Sequence, residues 1–187
     1  MQLDNYPEKE YSEKEIQEAY LILHPAILDR YKITLKEFYA AMPRLSNFSQ
    51  LKYPIVDEHG LSYGDSEWYY MAQRFDDIET KQKISVVSHR KWKSKNEAYK
   101  YKEFMNDDPS DRIEFMRNAI REKFNGSKWR NEMLLETAGR EIIEFTYWGD
   151  TFFGISHETR TGRNILGKLL MEYRDDLLAQ IAEHEWH

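Results

Sequence analysis

The 187-residue chain contains no cysteine, which excludes disulfides, thiolate metal sites and a cysteine nucleophile together. Glycine (8) and proline (5) are scarce and nowhere gather into a linker, a low-complexity tract or a repeat. No apolar run approaches the roughly 18 residues that a transmembrane helix needs, so no membrane association is expected. The opening Met1-Gln2-Leu3-Asp4-Asn5 has neither a basic nor an apolar segment. No signal peptide is therefore expected, and a cytoplasmic protein is. What is present is core material. Hydrophobic residues make up 41% of the chain, with 5 Trp, 13 Tyr and 9 Phe, too much for disorder and enough for one domain over 1–187.

The formal net charge of −6 is unevenly spread. Residues 81–102 carry seven lysines (81, 83, 91, 93, 95, 100 and 102) and Arg90 against Glu97 alone, a local charge of +7. The rest of the chain therefore sums to −13. Trp92, Tyr99 and Tyr101 interleave with these cations. Such a segment suits phosphates and stacked bases, or else is a solvated helix surface. The acidic remainder argues against nonspecific duplex binding and leaves room for a phosphate-bearing substrate.

Helical signals dominate. Ser12-x-x-Glu15 is a capping box, and Ile16, Ala19, Tyr20 and Leu23 follow at helical spacing, predicting a helix that stops near Pro25. Residues 45–63 read as loop, with extended pieces around Tyr53–Val56 and Leu61–Tyr63. Asp65 or Ser66 caps a helix through Phe75, with Trp68, Met71, Ala72 and Phe75 on one buried face. Glu67, Tyr70 and Arg74 share the neighbouring stripe. Ser94-x-x-Glu97 is a second capping box, and Asp108-Pro109-x-Asp111 a strong helix start with Pro in the first turn. Ile113, Met116, Ile120 and Phe124 form that helix's core stripe, ended by Gly126. A shorter helix runs from Ser127 to Thr137, a strand over Glu141–Tyr147, and a last helix from about Arg163 to Ala182. Its inward face is Ile165, Leu169, Tyr173, Leu177 and Ile181. The expected fold is a compact, predominantly α-helical α+β domain with one small β element.

Several motifs fail on inspection. Gly162-Arg-Asn-Ile-Leu-Gly167-Lys168-Leu169 resembles a nucleotide P-loop but has Leu169 where a magnesium-binding hydroxyl belongs, and no strand precedes it. Gly154-Ile155-Ser156-His157-Glu158 lacks the second glycine of a nucleophile elbow. His184-Glu185-Trp186-His187 is not a zinc-binding H-E-x-x-H. His24, His59 and His89 stand isolated. No metal and no cofactor are expected.

Three places remain for chemistry. Glu67 lies in the first turn of a helix, where the dipole favours the ionised carboxylate. An ionised glutamate suits a general base on water, a nucleophile or the partner of a cationic transition state, and equally a helix-stabilising residue. Trp148-Gly149-Asp150 sets an aromatic plane, a flexible hinge and a carboxylate just after a strand, either a site loop or a Gly-Asp turn with a core tryptophan. Arg163 and Asn164 open the last helix, where unpaired N–H groups can meet phosphate or ribose oxygens, unless the helix is simply capped. Gly162 and Gly167 permit another chain or a ligand to come close.

Taken together, the motifs resemble the YbiA-like, or NADAR, family. Leu45-Ser46-Asn47-Phe48 with Pro54-Ile55 resembles its opening S-N-F…P segment. Ser66-Glu67-Trp68-Tyr69-Tyr70-Met71-Ala72-Gln73-Arg74-Phe75 resembles its [ST]-E-H-Y-F-Q-A-Q-K-F helix. Met116…Ala119…Lys123-Phe124 resembles M-x-x-A-x-x-x-K-F. Leu134-Leu135-x-Thr137-Ala138 with Ile143-Glu144 resembles L-L-x-T…L-x-E. Trp148-Gly149-Asp150, then Gly162-x-Asn164-x-Leu166-Gly167-x-x-Leu170-Met171-x-x-Arg174, resembles its final signature. The likeness runs from about residue 38 to 178. Residues 1–33 read as an N-terminal helical extension and 34–187 as the family core. Trp68 stands where the family has His, Arg74 where it has Lys, and Tyr63-Gly64 where it has Trp-Pro, and residues 78–110 match poorly.

The resemblance implies an N-glycosidase that hydrolyses the C1–N bond between ribose and a base. One branch acts on ribosylaminopyrimidine phosphates of the riboflavin pathway. Another removes ADP-ribose from guanine in nucleic acid, with the 81–102 segment as a possible grip on the strand. Glu67 and Asp150 are then the catalytic carboxylates, guided by the two-carboxylate logic of O-glycosidases. Phe48 and Trp148 are expected to stack on a base, and Asn47, Gln73 and Asn164 to meet ribose hydroxyls. Arg74 and Arg174 are expected to meet phosphates, with Tyr70 and Gly149 completing the pocket. The alternative is a module that binds ADP-ribose or a nucleotide without cleaving it, the loss of the family His having disabled turnover.

Overall fold

A computed structural model describes residues 3–22, 45–87 and 93–185. In chain order the strands are β1 (Lys9–Glu10), β2 (Tyr20–Ile22), β3 (Ile55–Val56), β4 (Ser62–Tyr63), β5 (Ile142–Thr146), β6 (Ile155–Ser156) and β7 (Thr161–Gly162). The helices are α1 (Glu13–Glu18), α2 (Ser66–Gln73), α3 (Ile78–Ser85), α4 (Lys93–Tyr99), α5 (Pro109–Phe124), α6 (Lys128–Leu135) and α7 (Ile165–Glu185). The chain divides into two compact units, residues 1–46 with 126–187, and residues 47–125. The α+β class holds, with the β structure split between two sheets.

The first unit is built on a five-stranded sheet of order β1-β7-β6-β5-β2. Pairing is antiparallel at β1/β7 and β7/β6 and parallel at β6/β5 and β5/β2. The Ser12 capping box forms as expected. The helix it starts, however, ends at Glu18 rather than near Pro25, with Ala19 extended at its C-cap. Tyr20 accordingly leaves the helical stripe and enters β2, opposite Ile142. Leu23, Pro25 and the rest of 23–33 lie outside the described residues. Sheet pairing overrides helical spacing here because residues 20–22 satisfy their backbone groups on β5. The described N-terminal residues are thus part of the fold. Tyr11, Ile16 and Ala19 form a core cluster with Ile143 and Ile155.

α7 packs against β5 and α6 through buried Ile165, Leu166, Leu169 and Leu170. Ile181, expected inward, is exposed, lying beyond the 165–170 stretch whose apolar residues are buried. Gly162 and Gly167 are required by the chain's own strands. A Cβ on Gly162 would stand 2.2 Å from the Gly154 carbonyl oxygen, and one on Gly167 2.1 Å from that of Ile142. The close approach expected of a ligand at these glycines is made by backbone.

The second unit centres on α2, which packs on α3, α4, α5 and the β3–β4 hairpin. Asp57 shapes that hairpin by accepting from His59 N–H at 3.0 Å, Leu61 N–H at 2.9 Å and the Tyr63 hydroxyl at 2.9 Å. α5 begins as its sequence predicts. Asp108 accepts from Ser110 and Asp111 N–H groups, with Pro109 at its first position. Ile113, Met116, Ile120 and Phe124 are buried along one face. α4 differs from expectation. It is already helical at Lys93, so Ser94 is a buried first-turn residue rather than a cap, and Glu97 pairs with Lys100 at 2.5 Å.

Candidate active site

Asp65 accepts the Trp68 N–H at 2.8 Å and caps α2. Asn47 secures the same turn. Its carbonyl accepts from Glu67 N–H at 3.1 Å and Ser66 Oγ at 3.1 Å, while its amide oxygen lies 3.2 Å from that hydroxyl. Asn47 Nδ2 in turn reaches Met116 Sδ of α5 at 3.1 Å. The Glu67 side chain is only 8% exposed. It lies in the first turn of α2, where the helix dipole favours a negative charge while burial opposes it.

Tyr70, one turn on, is also buried. Its hydroxyl accepts from Arg112 Nε at 3.4 Å, and the Arg74 guanidinium lies 5.6 Å from its ring centre. Burial pushes its phenol pKa up, with Arg74 and Arg112 pulling it back down and Glu67 adding to the rise. The phenol is thus kept protonated. Gln73 Nε2 is buried without a hydrogen-bond partner among the described residues. Arg74, expected to meet phosphate, is itself buried. It donates from Nε to the Asn106 carbonyl at 3.1 Å and pairs with Asp107. Phe48 is half-buried beside Asn47 in sequence.

The family-His position settles into the core. Trp68 is buried, donates its indole N–H to the Ile84 carbonyl at 2.8 Å, and meets the Tyr63 ring edge-on at 6.3 Å between centres. Two residues of this unit escaped the sequence reading. Arg112 carries no signal beyond its charge. Lys123 is 2% exposed, and its signal was its place in the M-x-x-A-x-x-x-K-F pattern. A lysine that deep is never there for solubility.

In the first unit, Trp148, Gly149 and Asp150 lie on the loop after β5. Trp148 is 43% exposed and Gly149 has φ +79°. Asp150 Oδ1 accepts from Phe152 and Phe153 N–H, each at 3.0 Å, and its carbonyl accepts from Thr146 Oγ1 at 3.0 Å. The Gly-Asp turn half of that reading holds for Oδ1, but Trp148 is not the core tryptophan it expected. Asn164 is fully buried with φ +50°. Its Oδ1 accepts from Glu144 N–H at 3.0 Å and its Nδ2 donates to the Ile142 carbonyl at 2.8 Å, tying the start of α7 to β5. Arg174 is buried and donates from Nη1 to the carbonyls of Thr137 and Arg140, each at 2.8 Å. Both side chains are occupied by the fold.

The P-loop likeness dissolves. Lys168 Nζ donates to the Arg163 carbonyl at 2.7 Å and sits 3.9 Å over the Tyr6 ring. The basic run is also broken up. Lys81 is 6% exposed, and Lys83 pairs with Glu79 at 2.9 Å. Arg90, Lys91 and Trp92 lie outside the described residues, as do His24 and His89. Among the described residues no group of three or more His, Asp or Glu side chains is placed to hold a metal ion. Among them too, no helix is long and apolar enough to cross a membrane.

The fold is one already seen. The NMR structure of the Escherichia coli protein YbiA matches it with a TM-score of 0.61 at 30% identity, covering 75% of this chain and 80% of that one. The chain belongs to the NADAR domain family, whose model matches residues 36–178. Over 148 residues it is 30% identical to the N-glycosidase YbiA of Escherichia coli (strain K12), covering 77% of this chain and 89% of that protein. It is 33% identical over 139 residues to a riboflavin biosynthesis protein of Vibrio vulnificus, covering 71% of this chain and 35% of that one. A chloroplastic riboflavin biosynthesis protein of Zea mays is 32% identical over 148 residues, covering 73% of this chain and 23% of that one.

Proposed function

We propose that this chain is an N-glycosidase that hydrolyses the C1–N bond between ribose and a base in a phosphoribosyl or ADP-ribosyl substrate. The observation that carries the reading is Glu67, a carboxylate buried in the first turn of α2 with its backbone bound to Asn47. Membership of a family with N-glycosidases among its named members supports it. As the C1–N bond breaks, its electron pair leaves with the base and the ribose becomes oxocarbenium-like. Glu67 stabilises that cation and takes a proton from the attacking water, whose oxygen bonds C1. The departing nitrogen gains a proton from water, while the Tyr70 phenol one turn from Glu67, kept neutral by burial, is placed to give a hydrogen bond rather than its proton. Gln73 Nε2 is an unused donor for a ribose hydroxyl. Arg74 and Arg174, read as phosphate partners, already give part of their donors to carbonyls and carboxylates of the protein, Arg74 from Nε and Nη2 and Arg174 from Nε and Nη1.

Chromatography of released base and sugar tests the proposal. The panel is a ribosylaminopyrimidine phosphate and an oligonucleotide carrying ADP-ribosylated guanine, with wild type and Glu67→Gln side by side. Release by wild type and its loss in a folded Glu67→Gln are expected. Unimpaired release by that variant would falsify the role of Glu67. Release from the oligonucleotide that weakens on Lys93→Glu and Lys95→Glu would assign the basic segment to the strand.

A further inference from the structure

The loop bearing Trp148 and Asp150 is held by more than its own turn. Arg163 meets it twice. The Arg163 N–H donates to the Thr151 carbonyl at 2.7 Å, and its guanidinium stacks 4.8 Å from the centre of the Phe152 ring. The same guanidinium reaches the N-terminal segment. Nε donates to the Tyr6 carbonyl at 2.7 Å and Nη2 to the Leu3 carbonyl at 3.0 Å. One planar side chain therefore joins two stretches about 150 residues apart.

The segment is anchored independently of that side chain. The Tyr6 ring lies under the Lys168 ammonium at 3.9 Å. The Tyr11 N–H donates to the Arg160 carbonyl at 2.8 Å, β1 pairs with β7, and Arg160 pairs with Glu13 at 2.6 Å. Residues 3–13 precede the span that matches the family model, so this support is an addition to the family frame. A guanidinium can serve two carbonyls and stack on a ring at once because its donors are fixed in one plane; an ammonium cannot.

We propose that Arg163 is a positioning residue through which the Leu3–Tyr6 segment straps the Trp148–Phe153 loop in place. The strap limits local opening of the loop beyond what the Asp150 turn and the Ile165 and Leu166 N–H bonds to the Phe152 and Phe153 carbonyls already do. Its effect on catalysis rests on the reading that Trp148 and Asp150 meet substrate; its mechanical effect does not.

The test uses full-length Arg163→Gln, Arg163→Lys, Tyr6→Ala and the Arg163→Gln/Tyr6→Ala double variant. Amide hydrogen exchange is read at Phe152 and Phe153, with the β5 amides as the measure of folding. Exchange at Phe152 and Phe153 should quicken about tenfold in Arg163→Gln and Tyr6→Ala while β5 is unchanged. Lysine should not rescue, and the double variant should go no further than Arg163→Gln. With a substrate in hand, KM should rise more than kcat falls. Unchanged exchange at Phe152 and Phe153, or additive effects in the double variant, overturns the strap. If wild type releases no base, the glycosidase reading fails while the exchange result still decides the strap.

Discussion

The carbonyl of Asn47 accepts the backbone N–H of Glu67 at 3.1 Å, so a loop residue fixes where the helical carboxylate begins. The same Asn47 amide touches Met116 on α5. The position of Glu67 thus depends on a residue twenty places earlier and on a helix some fifty places later.

Asn47→Ala should cost about 1–2 kcal/mol, the usual effect of deleting a buried amide's hydrogen bonds. The carbonyl that accepts the Glu67 N–H survives the substitution, but the amide contacts to Ser66 and Met116 that hold it in place are lost, so kcat should also fall. Urea denaturation and base release, run on one preparation, measure both. A stability loss with unchanged kcat would separate the anchor from the chemistry.

Trp68→His, the change that the family resemblance suggests, should damage this chain. The indole fills a core position and donates to Ile84, and truncating a large buried aromatic costs about 3 kcal/mol. Activity per folded molecule should stay the same. A gain in turnover would instead mean that position 68 touches substrate.

Asn164→Asp should destabilise by about 2–3 kcal/mol. It replaces the donor aimed at the Ile142 carbonyl with an acceptor and buries an unpaired charge. Gly167→Ala should be as severe, since its Cβ would meet the backbone oxygen of Ile142. A fall in Tm of several degrees in each variant is the readout. If Asn164→Asp keeps its Tm and loses only activity, Asn164 serves the substrate rather than the fold.

Lys168 supplies a pH signature. Burial lowers its pKa to about 8, against a rise from Glu141, with Lys9 and Arg163 lowering it further. Below about pH 8 the folded and unfolded chains both carry the proton, so Lys168 adds no slope. Between about 8 and the ordinary lysine value of 10.5 the unfolded chain binds more protons, and stability rises with pH. Subtracting the denaturation profile of Lys168→Met from that of wild type should leave this rise, and a flat difference would refute it. Tyr11, whose phenol burial raises and whose hydroxyl lies 3.5 Å from Lys168 Nζ, works the other way above pH 10, so the difference is read between about pH 8 and 10.

Local signals carried much of this fold. Ser12-x-x-Glu15, Asp65 and Asp108-Pro109 each started a helix because their side chains satisfy N–H groups within three residues. The apolar stripe of α5 was equally legible. The end of α1 was not, because residues 20–22 find their partners in β5, and a pairing partner over a hundred residues away leaves no local trace.

The site divides along the same line. The order of residues alone marked Glu67 and Trp148-Gly149-Asp150, through helix position, turn chemistry and likeness to a family. Tertiary structure decided that the polar stripe of α2 is buried along with the apolar one, because helices and a hairpin surround it. It also decided that Arg74, Asn164 and Arg174 spend their polar groups on the chain itself. A guanidinium or an amide reads the same in sequence whether it faces solvent, substrate or a carbonyl. Which of these it meets is set by packing between segments far apart in the chain, where a buried donor must find its acceptor.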